Sequence, residues 1–574
     1  MKLRISSCKT ALAKDLTRFA PAWGLYLVGL LMVMIPNLVE YDPSTVAITL
    51  GETIGPLAIL NFLYAALCAQ LLFGDLFNSR LCNALHAMPF TRGDWFFSHI
   101  AAGLSFSLVP NTVCALVVMQ FLEEFWFIAL LWLAAMTLEF VFFFGLATLS
   151  AFCVGNRFAM VAVYGILNFL SVLILWFVKT IFEPLLFGLY VPAEPFYVFS
   201  PLVELINRSS AGWEYICFDW ISYTQVFTGM GDGWGYLLIL AGIGLVFGAL
   251  ALLAYRRRAL ETAGDFIAVR PLAPVFCVVY TLTVAAVFAA MGELFMGEII
   301  YFFPIGFVVG YLTSQMLLKR TVKVFTRKVL LGFGIFATVM AVCVGLLTLD
   351  PLGYSRWTPE ANQVVSVKIS DSLTTVLAYN GSYQDTSIRW NQALELDDPQ
   401  DIAAIVDVHR EVTEKRGNYS NSKQRLVSLR ICYTLQNGRQ VTRVYENCVP
   451  ADKLAGFFSR PEWVLGITGD TEAWISEIPF VNVEGNKITG EPLQELLEAI
   501  IADCEAGTMA QGGGYHSYEK GDMVITWMDF RMPDGTYRDI RIYTGAENTV
   551  TWLKANFALW ADENIKMEDY FQGK

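Results

Sequence analysis

The chain lacks the residue patterns that most enzymes and metalloproteins need. Its only histidines, His86, His99, His409 and His516, lie in separate segments, and there is no H-E-x-x-H motif and no Ser/His/Asp arrangement. Its 11 cysteines include no pairs at metal-ligand spacing. No G-x-x-x-x-G-K-[ST] loop is present to hold nucleotide phosphates. These absences predict that the chain is not an enzyme and holds no metal or cofactor itself, so that any energy from ATP must come from another polypeptide.

Positive charge is too scarce for a nucleic-acid-binding protein. The formal net charge is −12, and all of it comes from residues 350–574, which hold 21 Lys/Arg and 33 Asp/Glu, whereas residues 1–349 hold 19 of each. Phosphate binding needs a basic patch, so no nucleic acid is expected as a partner. The acidic tail weakly favours cationic ligands, although solubility alone also accounts for it.

Long apolar runs are abundant, and the mean hydropathy of the chain is +0.49. Nine stretches of roughly 18 to 25 mostly apolar residues are each long enough to cross ~30 Å of hydrocarbon as a helix. They cover about 21–39, 57–74, 97–121, 126–150, 158–178, 236–254, 272–292, 299–318 and 329–349.

The basic residues between these runs predict a membrane topology. Of the 19 Lys/Arg before residue 350, 17 lie ahead of the first run or in every second loop after it, and the other loops hold only Lys179 and Arg208. Basic loops face the cytoplasm. Because nine crossings follow a cytoplasmic N-terminus, residues 350–574 are expected to be extracytoplasmic.

Residues 1–20 predict an amphipathic cytoplasmic helix rather than a cleavable signal peptide. Its apolar residues recur at spacings of three or four: Ile5, Cys8, Leu12, Leu16 and Phe19. Such a helix lies flat on the inner leaflet. It is either a charged leader that sets the topology or a connector helix that transmits force from a cytoplasmic partner, and the spacing does not separate these two interpretations.

One carboxylate, Glu139, falls near the middle of the fourth run. A carboxylate at that depth is costly unless it is neutralised or partnered, so it is expected to face the interior of the helix bundle. It is either a protonated or hydrogen-bonded residue that packs helices together, or a contact for substrate or protons in a pathway. Other inward polar candidates more often hold helices together; they are Asn61, Gln70, Asn111, Asn168 and Gln315.

The tail predicts an α+β domain with two similar helix-hairpin-helix halves. The first has a helix from about 398, strands over 425–435 and 440–445, and a short helix over 451–458; the second has a helix over 491–505, strands over 523–530 and 537–543, and a helix over 549–560. Residues 473–483 could add a strand. Asn437-Gly438 predicts a type I′ turn that places Cys432 opposite Arg443 and away from Cys448, so free thiols are expected.

The segment between the second and third runs, Gly74 to Ser98, is the most informative for function. It mixes apolar and charged residues and is broken at Pro89. Its stretch LHAMPFTRGDWF, residues 85–96, resembles the intracellular loop of permease subunits of bacterial ABC transporters of the ABC-2 type. In that family the loop includes the coupling helix, which docks in a cleft of a separate ATP-binding subunit. The flat N-terminal helix, the six runs in 21–254 and the long proline-containing loop from Phe182 to Tyr236 are similar to the same family.

The apolar runs and the tail predict a polytopic α-helical membrane domain of about nine transmembrane helices followed by an α+β extracytoplasmic domain. Its parts would be an amphipathic helix (1–20), a six-span permease domain (21–255), three further transmembrane helices (256–349) and the acidic domain (350–574). The resemblance covers about 1–255, and the three further helices and the acidic domain are additions to the simplest six-span pattern. The resemblance implies an exporter subunit in the cell membrane, coupled to a separate ABC ATP-binding protein that holds ATP and Mg, with a second permease copy or a paralogue beside it in the lipid bilayer. The docking residues it implies are Leu85, Met88, Pro89, Phe90 and Arg92.

Two other interpretations of the chain remain. It could be a membrane-anchored sensor or scaffold whose ectodomain binds a ligand without transport, in which case the loop around Pro89 only sets topology. An ion-coupled secondary transporter would need several intramembrane charges or matched broken helices in two halves. Since Glu139 is the one central carboxylate, that class ranks last.

Overall fold

The computed structural model describes residues 5–39, 43–87, 91–183, 185–207, 216–219, 224–227, 233–258, 265–267, 272–296, 299–370, 393–416, 426–466, 475–483, 485–509, 524–531 and 537–557. By their contacts these residues fall into two compact units. The first unit takes in those up to Thr180 and those within Pro192–Cys343. The second takes in those within Ile181–Val191, Val344–Val376 and Ser387–Lys574.

The first unit is helical apart from a short hairpin, β1 (Ile216–Asp219) and β2 (Thr224–Phe227). Its helices are α1 (Ile5–Arg18), α2 (Ala20–Val39), α3 (Pro43–Glu52), α4 (Ile54–Leu72), α5 (Ser79–His86), α6 (Arg92–Met119), α7 (Phe127–Cys153), α8 (Arg157–Ile181), α9 (Glu194–Val198), α10 (Pro201–Asn207), α11 (Gly233–Arg257), α12 (Leu272–Met296), α13 (Ile299–Lys319) and α14 (Arg327–Leu349). The C-terminal end of α14 belongs to the second unit.

Within the described chain, eight helices are long and apolar enough to cross a membrane, and there are nine if α1 and α2 are counted as one bent pair. The predicted runs therefore correspond to helices, with the second run lengthened to Thr49–Leu72. The predicted amphipathic helix is α1, which meets α2 at an angle of 61°. The single residue between them, Phe19, packs edge-on against Phe106 of α6, with ring centroids 6.4 Å apart.

Close helix packing in the first unit depends on glycine. Helices α7 and α11 approach each other so tightly that a Cβ atom at Gly244 would lie 2.6 Å from the carbonyl oxygen of Val141. Gly145 faces Gly244 across the same crossing. Small residues are favoured at such contacts because, between apolar helices in lipid, van der Waals packing replaces the hydrophobic effect as the attractive force.

The second unit contains two four-stranded antiparallel sheets. The strands are β3 (Val364–Ser370), β4 (Leu394–Leu396), β5 (Leu426–Leu435), β6 (Gln440–Pro450), β7 (Phe480–Val483), β8 (Asn486–Ile488), β9 (Val524–Arg531) and β10 (Tyr537–Tyr543), and the sheet orders are β4-β3-β5-β6 and β8-β7-β9-β10. The helices are α15 (Pro399–Lys415), α16 (Ala455–Phe458), α17 (Pro461–Val464), α18 (Glu491–Glu505) and α19 (Glu547–Asn556). In each half two strands, a helix and a hairpin follow in the same order.

Buried apolar residues of both halves form one core, and polar caps fix the helices around it. Asp503, which is 1 % exposed, accepts hydrogen bonds from the backbone N–H of Thr549 at 2.7 Å and of Asn548 at 3.1 Å, and so satisfies the first turn of α19. Arg460 donates two hydrogen bonds, of 2.7 and 2.8 Å, to the two carboxylate oxygens of Asp401. This bidentate pair lowers the pKa of Asp401 below its usual range.

The predicted type I′ turn in the β5–β6 hairpin is wrong. Gly438 has a φ of +77°, but Asn437 is not among the described non-glycine residues with positive φ. The Gly438 N–H donates to the carbonyl of Leu435, and the Leu435 N–H donates to the carbonyl of Arg439, which is a type I turn followed by a glycine bulge. The extra residue shifts the register by one, so that Cys432 lies opposite Thr442. Cys432 and Cys448 are free thiols, as expected.

Residues 181–191, which directly follow the main length of α8, belong to the second unit. Gly188 lies along the edge strand β6, where its carbonyl accepts a hydrogen bond of 3.4 Å from the N–H of Val444. Its φ is +78°, and a Cβ atom there would lie 2.7 Å from the hydroxyl of Tyr445. Phe187 packs on Tyr445 with ring centroids 5.0 Å apart. The segment therefore covers part of an exposed strand edge.

Candidate functional site

The five predicted docking residues are only partly described. Leu85 lies in the last turn of the short helix α5, and Met88, Pro89 and Phe90 lie outside the described residues. Thr91 begins α6 with a capping box, since its hydroxyl accepts from the Asp94 N–H at 3.2 Å while the Asp94 carboxylate accepts from the Thr91 N–H at 3.2 Å. The chain is thus held firmly where it leaves the predicted coupling loop.

Arg92, the last of these residues, has structural contacts of its own. Its Nη1 atom donates to the backbone carbonyls of Tyr255 at 2.8 Å, Arg256 at 3.2 Å and Arg258 at 3.3 Å. The guanidinium also lies 5.3 Å from the centre of the Tyr255 ring. A cation bound to the last carbonyls of α11 stabilises the negative end of that helix. Arg92 therefore joins the start of α6 to the end of α11, and its docking role stays a prediction.

Arg258 makes the matching connection at the end of α7. Its Nη1 atom donates to the carbonyls of Ala151 at 3.1 Å and Phe152 at 3.4 Å, and its Nη2 atom donates to the carbonyl of Leu76 at 3.3 Å. Leu76 lies in the turn that leads from α4 into α5. One guanidinium thus satisfies helix-end carbonyls that would otherwise lack partners.

Aromatic side chains fill the space between these helix ends. Phe73 contacts Trp95 and Phe152 with ring centroids 5.5 and 5.1 Å apart, and Tyr255 lies 5.5 Å from Trp95 and 4.9 Å from Phe152. We call these residues, with Phe96, the aromatic plate: Phe73, Trp95, Phe96, Phe152 and Tyr255. All five are buried. The plate links the ends of α4, α6, α7 and α11.

Helix α1 is attached to the same region. The carboxylate of Asp15 lies 3.4 Å from Nδ1 of His99 on α6, and both side chains are only 9 % exposed. The His99 ring lies 4.3 Å from Trp95 of the aromatic plate. At the bend, Nε1 of Trp23 donates to the carbonyl of Leu16 at 3.3 Å, which ties α2 to α1. The amphipathic helix is therefore packed against the bundle rather than connected to it only through the chain.

Glu139 is completely buried on α7, as its position in the sequence predicts. Its Oε2 atom accepts a hydrogen bond of 2.8 Å from the side-chain amide of Asn61 on α4. The Tyr26 hydroxyl of α2 donates to Asn61 at 2.7 Å and lies 3.1 Å from the amide oxygen of Asn111 on α6. The Asn111 amide in turn donates to Ser107 at 3.1 Å. These five residues join α2, α4, α6 and α7.

The chemistry of this network suits a neutral carboxyl group. Its partner at Oε2 is a neutral amide, and Oε1 has no hydrogen-bond partner among the described residues. A buried carboxylate with neutral partners alone is costly, whereas a protonated carboxyl group carries no charge and is less costly to bury. The arrangement favours the interpretation of Glu139 as a residue that packs helices together, and a role in a pathway stays a prediction.

The second unit holds a buried histidine that the sequence does not single out. His409 of α15 is 0 % exposed, with Nδ1 at 2.9 Å from the Tyr433 hydroxyl and Nε2 at 2.7 Å from the Tyr445 hydroxyl. Burial, and secondarily the positive charge of Arg443, lowers the pKa of His409 to about 3. Arg443 itself stacks 3.6 Å from the centre of the Tyr354 ring. The neutral imidazole thus connects the helix to both strands of the hairpin.

Among the described residues, no group of three or more His, Cys, Asp or Glu side chains is placed so that it could hold a metal ion. Sequence reasoning identified Glu139, Asn61 and Asn111 as inward-facing, but it missed Tyr26, Arg258 and the buried histidine at 409. Only Arg258 carried a signal, because it ends a run of three arginines that directly follows an apolar helix. Basic residues at that position often bind the last carbonyls of a helix.

A scan of protein-family models gives no match to this chain. A search of curated proteins likewise gives no match.

Proposed function

We propose that the chain is the membrane-spanning permease subunit of an ATP-driven exporter, working with a separate ATP-binding protein and a second permease copy or paralogue. The proposal rests on one observation above all. At a single end of the helix bundle, the ends of α4, α6, α7 and α11 are joined by two arginines and the aromatic plate, and α1 is packed onto the same place. A partner that pushes on α5 or on α1 would therefore move four long helices together.

This arrangement is what a subunit without its own ATPase would need. A nucleotide can drive a conformational change only if its binding protein prefers one arrangement of the permease over another. Such a preference must reach the bundle through the docking surface, and loosely attached loops would absorb the motion. Helix ends that are capped by side chains from neighbouring helices transmit it instead. Leu85, Met88, Pro89 and Phe90 are the proposed contacts, and Arg92 is the proposed link from them to α11.

The contacts of residues 181–191 support an extracytoplasmic second unit. This segment follows α8, which begins at the basic residue Arg157, and it packs on the hairpin β5–β6. The second unit also contains the end of α14, which begins at Arg327 and Lys328. Two helices that start at basic loops therefore both end at the second unit. By the positive-inside rule these starts are expected to be cytoplasmic, which supports a second unit on the outer side.

The two halves of that unit support an internal duplication. Each has the order strand, strand, helix, hairpin, and each sheet places the first strand between the second strand and the first strand of the hairpin. A repeated module of this kind is proposed to regulate the transporter or to capture cargo on the outer face. The repeat is supported by the same order of five elements, four strands and one helix, in both halves.

Affinity purification of the detergent-solubilised chain from its native membrane tests the proposal. We expect an ABC ATP-binding protein to co-purify, and its ATP hydrolysis to rise when the chain is added back. Phe90→Asp should abolish co-purification. Phe158→Asp is the matched control, since Phe158 is 83 % exposed and lies in the first turn of α8, next to a predicted cytoplasmic loop. An active assembly with no nucleotide-hydrolysing component would contradict the proposal and favour the sensor interpretation.

A further inference from the structure

The turn between α13 and α14 presents a cluster of exposed cations. Five basic side chains are exposed between the end of one helix and the start of the next: Lys319, Arg320, Lys323, Arg327 and Lys328. One of them, Arg320, pairs with Asp265 at 2.8 Å. Clusters of four to eight Lys/Arg next to a membrane-spanning helix are typical of segments that bind anionic headgroups.

Apolar side chains stand beside these cations. Val324 is fully buried and anchors the turn, whereas Val322 and Phe325 on either side of it are 75 % and 69 % exposed. The backbone holds this alternation, since the N–H of Thr326 donates to the carbonyl of Val324 at 2.7 Å. Exposed apolar and basic residues in alternation suit the boundary between headgroups and acyl chains.

A shallow, largely open groove continues from this turn along one face of α14, and all its lining residues belong to that helix. It has a volume of about 690 Å³, and its lining includes Arg327 and, one to three turns further on, Leu330, Leu331, Gly334, Ile335 and Val339. The four branched apolar side chains in it are each 52 % to 67 % exposed. Gly334 adds no side chain to this face, and a Cβ atom there would meet open space, with no neighbour within 4 Å. The groove therefore has one charged end and an apolar length.

We propose that this groove and turn form a binding site for an anionic phospholipid. The phosphate would pair with the guanidinium of Arg327, whose planar donors match two phosphate oxygens, and Lys323 and Lys328 would add positive charge. One acyl chain would lie along the apolar length of the groove. The positive charge of Arg327 favours an anionic phospholipid over a helix of a second copy, since a purely apolar helix would leave Arg327 without a counter-charge.

The experiment uses the full chain in detergent and counts bound lipid by native mass spectrometry. The probes are phosphatidylglycerol and phosphatidylcholine with identical acyl chains, which differ in net charge. We expect phosphatidylglycerol to bind at least fivefold more tightly, and Arg327→Gln to lower its affinity about fivefold, the effect of one juxtamembrane cation. Arg257→Gln, which removes an exposed cation at the end of α11, should change neither affinity.

A second pair of variants tests the groove without altering charge. Gly334→Leu fills it and should weaken both lipids, whereas Gly345→Leu on the same helix, where a Cβ atom also has open space, should weaken neither. Equal binding of the two lipids, or full binding by Arg327→Gln, would overturn the headgroup site. A dimer of the wild type that Gly334→Leu dissociates would show that a second copy occupies the groove, and the lipid site would then be wrong.

Discussion

Acid should destabilise the second unit through His409. In the folded chain, burial between Tyr433 and Tyr445 keeps the imidazole neutral and lowers its pKa to about 3, whereas an unfolded chain restores a pKa near 6.5. Between these two values the unfolded state binds more protons, so stability falls as the pH decreases below about 6.5 and is flat above it. At pH 4.5, two pH units below the unfolded value, the loss is about 2.7 kcal/mol. That is a large part of the stability of an ordinary domain.

Urea titration of the full chain in detergent measures this loss, with oxidation of Met509 and Met528 by peroxide as the readout. Both thioethers are 0 % exposed in the core of the second unit, so their oxidation reports its unfolding and not that of the membrane helices. His409→Gln keeps a side chain able to donate and accept a hydrogen bond but removes the titration. We expect wild type to lose about 2.7 kcal/mol more than this variant between pH 7.5 and pH 4.5.

Tyr445→Phe is the control for the hydrogen bond itself. It leaves the histidine buried, so it should lower stability by about 1 kcal/mol at both pH values and retain the dependence on pH. If wild type and His409→Gln lose the same stability on acidification, the buried histidine is not the titrating group and the reasoning fails.

Three further substitutions test the packing. Gly244→Ala should lower the thermal stability of the solubilised chain by about 1–3 kcal/mol, because a Cβ atom there overlaps the backbone of α7. Gly248→Ala is the control, since its Cβ atom meets open space and should leave the stability unchanged. Equal effects of the two substitutions would disprove the tight crossing. Gly188→Ala should speed hydrogen exchange of residues 185–191, whereas Gly353→Ala, which carries the same backbone strain without a clash, should leave that segment protected. Arg258→Gln should cost about 3 kcal/mol in thermal unfolding through the lost charge-assisted hydrogen bonds, and an unchanged melting temperature would refute its role as a cap.

The helices of the first unit could be predicted because their signal is local. Length and apolar content within one segment are enough to identify a membrane-spanning helix, and the described helices follow the predicted runs closely. In the second unit the helix Glu491–Glu505 and the strand Tyr537–Tyr543 were predicted to the residue. Both have clear periodicity and defined ends.

Long-range structure could not be predicted in this way. Arg92 donates to backbone carbonyls that lie 163 or more residues away in the chain, and no spacing in the sequence predicts such a contact. Strand β4 has only three residues and is held by its neighbour β3, so it showed no pattern of its own. Strand β3 was missed although residues 365–370 alternate between apolar and polar, which is a strand signal. The local rule for an Asn-Gly pair predicts a type I′ turn at Asn437-Gly438, but the chain forms a type I turn followed by a glycine bulge there. The position of Glu139 was predictable from its depth, whereas its partner Asn61 depended on how two distant helices pack.

The segment that borders Gly188 has a practical consequence for dissecting this protein. A recombinant fragment that starts near residue 350 would omit residues 181–191, although they pack with the C-terminal sheets. Part of the outermost strand of the first sheet, together with the ring of Tyr445, would then be open to water and to other copies of the fragment. Self-association of such a fragment would reflect this missing piece, and supplying residues 181–191 as a peptide or a fused extension should restore a monodisperse product.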